Sequence, residues 1–431
     1  MAHDIALLFQ QCDPSESLPP GDKRYVTCEG VRGNDVVMEL AKVIGYSKKT
    51  VCRLLTGHRG GGKSTELRRL QQELEHPSYA GRKFFVVYFE ADEEDIDVND
   101  VDFPDLLLAI VRQVGFALRC RLSIELTPSW WVKFIDGLKG LLGSELEFDK
   151  LALDVKIAKL TATIKNSPKA RDEIRKALEP NTSNLIKAAN DFIAEANLRL
   201  RDQGQGSLVV IVDNLDRIVL RDLDPRRTTH DHLFLHRGPQ LKALDCHLVY
   251  TLPITMVFLP QAGALTNVFD SQPYVIPMIK VIHPDGSDNP AGLKAMREVV
   301  LKRLARANIT EGDAFDTLGT LDDLCRKSGG HLRNLLILLQ SACISTGNLP
   351  LKQSDVAKAF GEMENGFERS LIRPSIFETL RQIDLTHELS GGEHDSILLY
   401  NLSVLEYMNG RVWYAVNPAV RNLAKFIRNP P

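Results

Sequence analysis

TGHRGGGKST, residues 56–65, decides how the rest of the chain is read. Four of its ten residues are glycine, and its one lysine, Lys63, is followed at once by the hydroxyls of Ser64 and Thr65. Glycine loses more backbone freedom on folding than any other residue, so such a run marks a place where backbone must come unusually close to something. Gly57-His58-Arg59-Gly60-Gly61-Gly62-Lys63-Ser64 fits G-x-x-x-x-G-K-[ST] without exception. In that pattern backbone N–H groups cradle phosphates, the lysine reaches the β and γ phosphates, and the hydroxyl ligates Mg2+. The flanks agree: VCRLLT at 51–56 predicts a strand, and Leu67, Leu70 and Leu74 recur behind the loop at helical spacing.

A nucleotide site also needs a carboxylate for the metal, best placed where a buried strand ends at the carboxyl edge of an open sheet. LVVIVDNLD at 208–216 supplies it, with five apolar residues that read as a strand covered on both faces and Asp213 at its end. Many ATPases carry a glutamate directly after this aspartate to polarise the attacking water. Here that place is Asn214, so Asp216 is the candidate for the task, the alternative being a helix cap. Three further strands are predicted from FFVVYF at 84–89, HLVYTLP at 247–253 and YVIPMIKVI at 274–282. Five apolar strands separated by helical or long segments predict a parallel sheet with crossover helices, two distant strands flanking the phosphate-loop strand.

The composition is that of a globular protein: 431 residues, 44% apolar and 25% charged. Its longest apolar runs, such as LLLAIV at 106–111 and LLILL at 335–339, fall far below the roughly 20 residues a membrane helix needs. No basic leader precedes them, and a cytoplasmic location is expected. Seven cysteines without a CxxC pair suit a reducing compartment and no zinc or disulfide framework. A net charge of −3 leaves no overall footprint for nucleic acid.

Upstream, Asn34 or Asp35 caps a predicted helix with Val36, Val37, Leu40, Val43 and Ile44 on its apolar face, preceded by an Arg32-Gly33 turn that would lie over an adenine. With this turn, the phosphate loop and the strand ending in acid, the chain resembles the AAA+/STAND superclass of P-loop ATPases. CRKSGGHLRNLLILL at 325–339 fits the helical lid of that class. Arg333 there is similar to the lid arginine of origin-recognition-type proteins, which couples the γ-phosphate to lid position. Thr251, ending its strand, stands where such folds place a γ-phosphate sensor. Beyond the lid, two alternating runs around Asn409-Gly410 predict a hairpin, and with the preceding helices a winged-helix layout. The resemblance implies an α/β fold with a parallel five-stranded P-loop (ASCE/AAA+-like) sheet. It divides the chain into an ATPase domain at 1–290 with a helical insert at about 93–206, a lid at 291–347 and a winged-helix-like domain at 348–431. The chain departs from the class in having no arginine in TLPIT or in PQAGALTNVFDSQ at 260–272, leaving Arg226, Arg227 or Arg237 as substitutes.

The surplus between Glu90 and residue 208 predicts helices at 104–120, about 129–142, 168–178 and 182–201. Trp130 and Trp131 are adjacent, so either one is an exposed anchor for a partner or a thick helical layer buries both. His230, His232 and His236 read as a solvated loop, with a metal site as the alternative. These features together imply a molecular switch that binds Mg·ATP at Gly57 to Thr65, with Ser64 and Asp213 on the metal, and hydrolyses it slowly through Asp213, Asp216 and Lys63. The STAND resemblance implies a protein effector partner or self-assembly and a setting in prokaryotic antiviral defence. The alternative is a nucleic-acid-associated AAA+ ATPase of the replication-initiator or transposition-regulator kind. Residues 350–431 carry nine Lys/Arg against ten Asp/Glu, which makes this segment a poor DNA reader.

Overall fold

Runs rich in valine, isoleucine and phenylalanine become strands where both of their faces can be covered, and the four longest of these strands lie side by side. The computed structural model describes residues 2–126, 130, 131, 134, 152–225, 227–258, 262–371, 373–392 and 394–427. Strands β1 (Cys52–Gly57), β2 (Phe84–Glu90), β3 (Ser207–Asp213), β4 (His247–Thr251) and β5 (Tyr274–Ile276) form one sheet in the order β2-β3-β4-β1-β5. The pairings of β2 with β3, β3 with β4 and β4 with β1 are parallel, and β1 is flanked by the two distant strands β4 and β5 as expected. Glu90 pairs with Asp213, Val212 with Tyr250 and Leu55 with Thr251, so three strands bring their carboxyl ends to one edge. The fifth strand is shorter than its apolar run. Pro277 ends it by lacking a donor, after which the N–H groups of Met278 and Lys280 turn to the carbonyls of Glu406 (2.9 Å) and Val31 (3.0 Å).

The chain divides into two compact units, one made of Val37–Thr56 and Leu67–Tyr274, the other of Met1–Val36, Gly57–Glu66 and Val275–Pro431. In the first, helices Phe103–Leu122, Leu153–Asn166, Pro168–Leu178 and Thr182–Asp202 follow β2. The one at 153–166 was not anticipated, although Leu153, Ile157, Leu160 and Ile164 have helical spacing. The expected helix at 129–142 falls outside the described residues except for Trp130, Trp131 and Phe134, which are helical. The insert is not a separate module: Leu106, Ile110, Phe192 and Ile193 share one apolar core with Phe85, Val87, Val210 and Val212 of the sheet. Trp131 is fully buried in that core and its Nε1 donates to the Ala188 carbonyl at 3.2 Å. Trp130 is half-buried with its ring stacked on Phe134, 5.0 Å between centroids, so neither tryptophan is the exposed anchor. The histidine cluster is also not a solvated loop: His230 is buried in a helical turn with Nε2 on the Ile218 carbonyl (2.9 Å), and His232 faces Asp102 (3.2 Å). Among the described residues no group of three His, Cys, Asp or Glu is arranged to hold a metal.

In the second unit, helices Pro290–Arg306, Leu318–Lys327 and Leu332–Thr346 share a core with the N-terminal helix Ala2–Gln11 through Leu8, Met296, Val300, Leu321, Leu335 and Leu339. Three helices, Gln353–Ser370, Pro374–Thr386 and His394–Tyr400, then lead into a hairpin of β6 (Val404–Asn409) and β7 (Arg411–Val416), which turns at Gly410 with φ +73°. Trp413 stacks on Tyr407 at 4.5 Å and anchors it. Among the described residues no helix is long and apolar enough to cross a membrane.

Candidate functional site

The glycine loop begins where β1 ends and continues into the helix Lys63–Glu75. Gly57, Gly60 and Gly62 have φ of +146°, +80° and +98°, a region other residues enter at a steric cost. Space is short as well: a Cβ on Gly60 would stand 2.5 Å from Cβ of Arg333, and one on Gly57 2.6 Å from the Ile276 carbonyl oxygen. Every carbonyl from Gly57 to Gly61 is engaged. Lys63 Nζ donates to those of Gly57 (2.9 Å) and His58 (3.0 Å), His331 Nε2 meets that of Arg59 (2.7 Å), the Arg333 N–H that of Gly60 (3.1 Å), and Arg32 Nη2 that of Gly61 (2.7 Å). C=O and N–H are antiparallel across a trans peptide, so anchoring the carbonyls of Arg59 and Gly61 turns the N–H groups of Gly60 and Gly62 the other way. The Gly61 N–H between them donates to the His58 carbonyl at 3.0 Å.

Several of these contacts were invisible in the sequence. His58, at a variable position of the loop pattern, is buried, and its Nε2 accepts the Glu406 N–H at 2.9 Å. Nδ1 therefore carries the ring proton and faces the Leu399 carbonyl at 3.2 Å. Arg59 lays its guanidinium 4.7 Å from the centre of the Tyr400 ring. His331 is tied at both nitrogens too, because Nδ1 accepts the Asn334 N–H and caps the helix Leu332–Thr346. Burial pushes His58 down to about 3 and His331 down to about 4, so both rings stay neutral. The glycine loop is thus fastened to the helix Leu332–Thr346 and its cap by Arg333 and His331, and to the segment that leads into the hairpin by His58 and Arg59. The sequence clue was only that the variable loop positions hold a histidine and an arginine.

Of the other expected ligands, Arg32 is buried with Nη1 on the Pro277 carbonyl (3.0 Å) and Nη2 on Gly61, so its guanidinium braces the loop. Arg333 is half-buried, and its Nε donates to the Pro14 carbonyl at 3.1 Å. The Thr65 hydroxyl accepts the Leu18 N–H at 3.1 Å.

At the carboxyl edge of the sheet, Asp213 Oδ1 accepts the Asn214 N–H (2.7 Å) and Oδ2 the Tyr88 hydroxyl (2.8 Å). Burial, with the Asp213 and Glu90 carboxylates alongside, drives the Tyr88 hydroxyl far above its ordinary range and keeps it a donor. Asp216 is buried within the short turn Leu215–Arg217. The Thr251 hydroxyl accepts the Leu215 N–H at 2.9 Å and supports this turn. Arg237 is held by Asp102 (2.8 Å) and Arg227 by Asp224 (3.0 Å), while Arg226 lies outside the described residues. Taken each by itself, the Asp213 carboxylate and, in the other unit, the Ser64 hydroxyl are hard oxygen donors of the kind Mg2+ takes.

No family model matches the chain, and no curated protein sequence does. Solved structures similar to it include the ORC2 protein of Aeropyrum pernix in ADPNP and ADP complexes, at 13% identity, over 95% of this chain and 94% of that one, TM-score 0.45. Cdc6p from Pyrobaculum aerophilum is similar at 11% identity over 97% of each chain, TM-score 0.40. Drosophila ORC bound to DNA is similar at 12% identity over 99% of this chain and 92% of that one, TM-score 0.42. The α/β class of this chain stands on its own sheet order and loop.

Proposed function

We propose that this chain is an ATP-binding, slowly hydrolysing molecular switch. The observation that supports this most is the glycine loop, whose carbonyls are held by Lys63, His331, Arg333 and Arg32. In this reading the N–H groups of the loop take the phosphates, and Lys63 exchanges the Gly57 and His58 carbonyls for the β and γ phosphates. Ser64 and Asp213 would hold Mg2+, which neutralises phosphate charge when bound. Arg333, on the lid helix, reads the γ-phosphate. Drawing Lys63 off the His58 carbonyl alters the residue that carries the hairpin contact, and this passes the nucleotide state to the C-terminal segment.

The near balance of charge in 350–431 favours a protein partner over a phosphate backbone. The STAND resemblance supports a separate effector and a setting in antiviral defence. The second reading is an ATPase that works on nucleic acid; Drosophila ORC, one of the solved structures to which the chain is similar, is bound to DNA. Calorimetry with Mg·ATP and a phosphate-release assay test the switch: we expect binding, slow release, and loss of release in Asp213→Asn. Absence of ATP binding in the wild-type protein would refute it. Fluorescence anisotropy with duplex DNA separates the two settings, since nucleotide-dependent binding at physiological salt would favour the second.

A further inference from the structure

Between the N-terminal helix and the short helix Glu29–Arg32, residues 12–28 form neither helix nor strand, yet they are tied down along their length. Every tie lies within the second unit. Arg333 Nε donates to the Pro14 carbonyl at 3.1 Å, the Leu18 N–H to the Thr65 hydroxyl at 3.1 Å, and Lys302 Nζ to the Tyr25 carbonyl at 2.5 Å. Inside the segment, Arg24 grips Glu16 through Nη1 (2.7 Å) and Nη2 (2.6 Å) and Asp22 through Nη2 (2.7 Å), which draws positions eight residues apart together. Leu18 is buried while Pro19, Pro20 and Gly21 beyond it are exposed, so the segment is a strap with one apolar peg and an open tip.

Two of the strap's three outside partners, Arg333 and Thr65, are residues that the ATP reading gives to the nucleotide. The Arg333 side chain runs along Gly60, where an added Cβ would stand 2.5 Å from its Cβ and 2.9 Å from Nε, and that Nε turns to Pro14. Arginine pairs with phosphate through two parallel N–H groups, and pairing by the edge that holds Nε needs the N–H that Pro14 now accepts. A charged phosphate oxygen is also the stronger acceptor, because the bond is then ionic at both ends. We propose that residues 13–25 are an autoinhibitory strap that ATP unfastens and ADP does not. This rests on the ATP reading above. With a γ-phosphate present, Arg333 leaves the Pro14 carbonyl and the first tie is lost; the bond from Leu18 to Thr65, the next tie along, then opens more often. ADP has no γ-phosphate and leaves the strap closed. By linkage, the factor by which ATP opens the strap is the factor by which the closed strap weakens ATP binding.

The test is hydrogen–deuterium exchange of the full-length protein, read by mass spectrometry over peptides spanning 12–25, with saturating Mg·ADP and with saturating Mg·ADPNP. Calorimetry gives the affinity for each nucleotide. We expect the wild-type strap, the Leu18 amide included, to exchange at least about tenfold faster with Mg·ADPNP than with Mg·ADP, and Arg333→Ala to erase the difference. Glu16→Ala, which leaves Arg24 paired with Asp22, should speed exchange in both states and tighten Mg·ADPNP binding by about threefold or more at unchanged ADP affinity. Equal or slower exchange with Mg·ADPNP would overturn the proposal and make residues 13–25 a fixed wall. So would a difference that survives in Arg333→Ala, or unaltered ADPNP affinity in folded Glu16→Ala. If Glu16→Ala does not fold, the wild-type and Arg333→Ala exchange profiles decide the matter by themselves. A wild-type protein that binds neither nucleotide overturns the ATP reading and the strap with it, whereas binding without a change in exchange overturns the strap alone.

Discussion

His58 Nε2 accepts the backbone N–H of Glu406 at 2.9 Å, joining the glycine loop to the first strand of the C-terminal hairpin. Nδ1 faces the Leu399 carbonyl, which also accepts the Leu402 N–H at 3.4 Å, so the Glu406 N–H is the backbone group that depends on the buried ring. His58→Ala should destabilise the protein by roughly 1–3 kcal/mol, the cost of one stranded buried group. Limited proteolysis should then cut first around 387–410. Equal stability and an unchanged cleavage pattern would show that the clasp carries no load.

Glu406 gives a pH signature of its own. Its side chain is 2% exposed, Oε2 has no partner among the described residues, and burial pushes the carboxyl up to about 7 from its usual 4.5. A raised folded value means that the folded protein binds the proton more tightly, so this contribution is complete below about pH 4.5 and is lost as pH rises through 7. Glu406→Gln should therefore match wild type near pH 4.5 and exceed it by about 3 kcal/mol at pH 8, at about 1.36 kcal/mol per pH unit. Denaturant titrations across that range decide it, and a constant difference would contradict it. His58 and His331 act oppositely: kept neutral in the fold, they contribute stability that is complete above about pH 6.5 and lost as pH falls toward 4 and 3.

Arg333→Ala should leave ADP affinity nearly intact and narrow the preference for ATP, because the residue packs on Gly60 of the loop and its main chain caps the Gly60 carbonyl. Calorimetry with both nucleotides measures this. Equal losses for the two would identify a residue that only supports the loop.

Trp131→Ala should cost about 3–5 kcal/mol, as expected for emptying the site of a large buried aromatic ring, and it also removes the indole donor on the Ala188 carbonyl. Half-buried Trp130 should cost about 1–2 kcal/mol when replaced by Ala. Thermal or denaturant unfolding separates the two, and similar losses would contradict the burial assigned to them.

What could be read in the sequence was local. The loop pattern, the strand ending at Asp213 and the Asn409-Gly410 hairpin each declare themselves within about ten residues, and all of them stand in the fold. The contacts that make the loop a hub were not legible, because His58 and Glu406 are 348 positions apart and His331 and Arg59 are 272 apart. No periodicity encodes such a pairing. The packing of the insert was not legible for a related reason. Its apolar stripes predict helices well, but a stripe does not say that Phe192 and Ile193 meet Val210 and Val212 in one core.

The central claim is that the glycine loop holds the phosphates of ATP, and titration of Mg·ATP into wild-type and Lys63→Ala protein tests it most directly. Lys63 Nζ is buried against the Gly57 and His58 carbonyls, the one ammonium the loop itself contains. Removing it should abolish measurable binding or weaken it by at least about 100-fold, in line with the 1.5–3 kcal/mol of a charge-assisted hydrogen bond made more than once. Wild-type affinity in Lys63→Ala would contradict the account at its root.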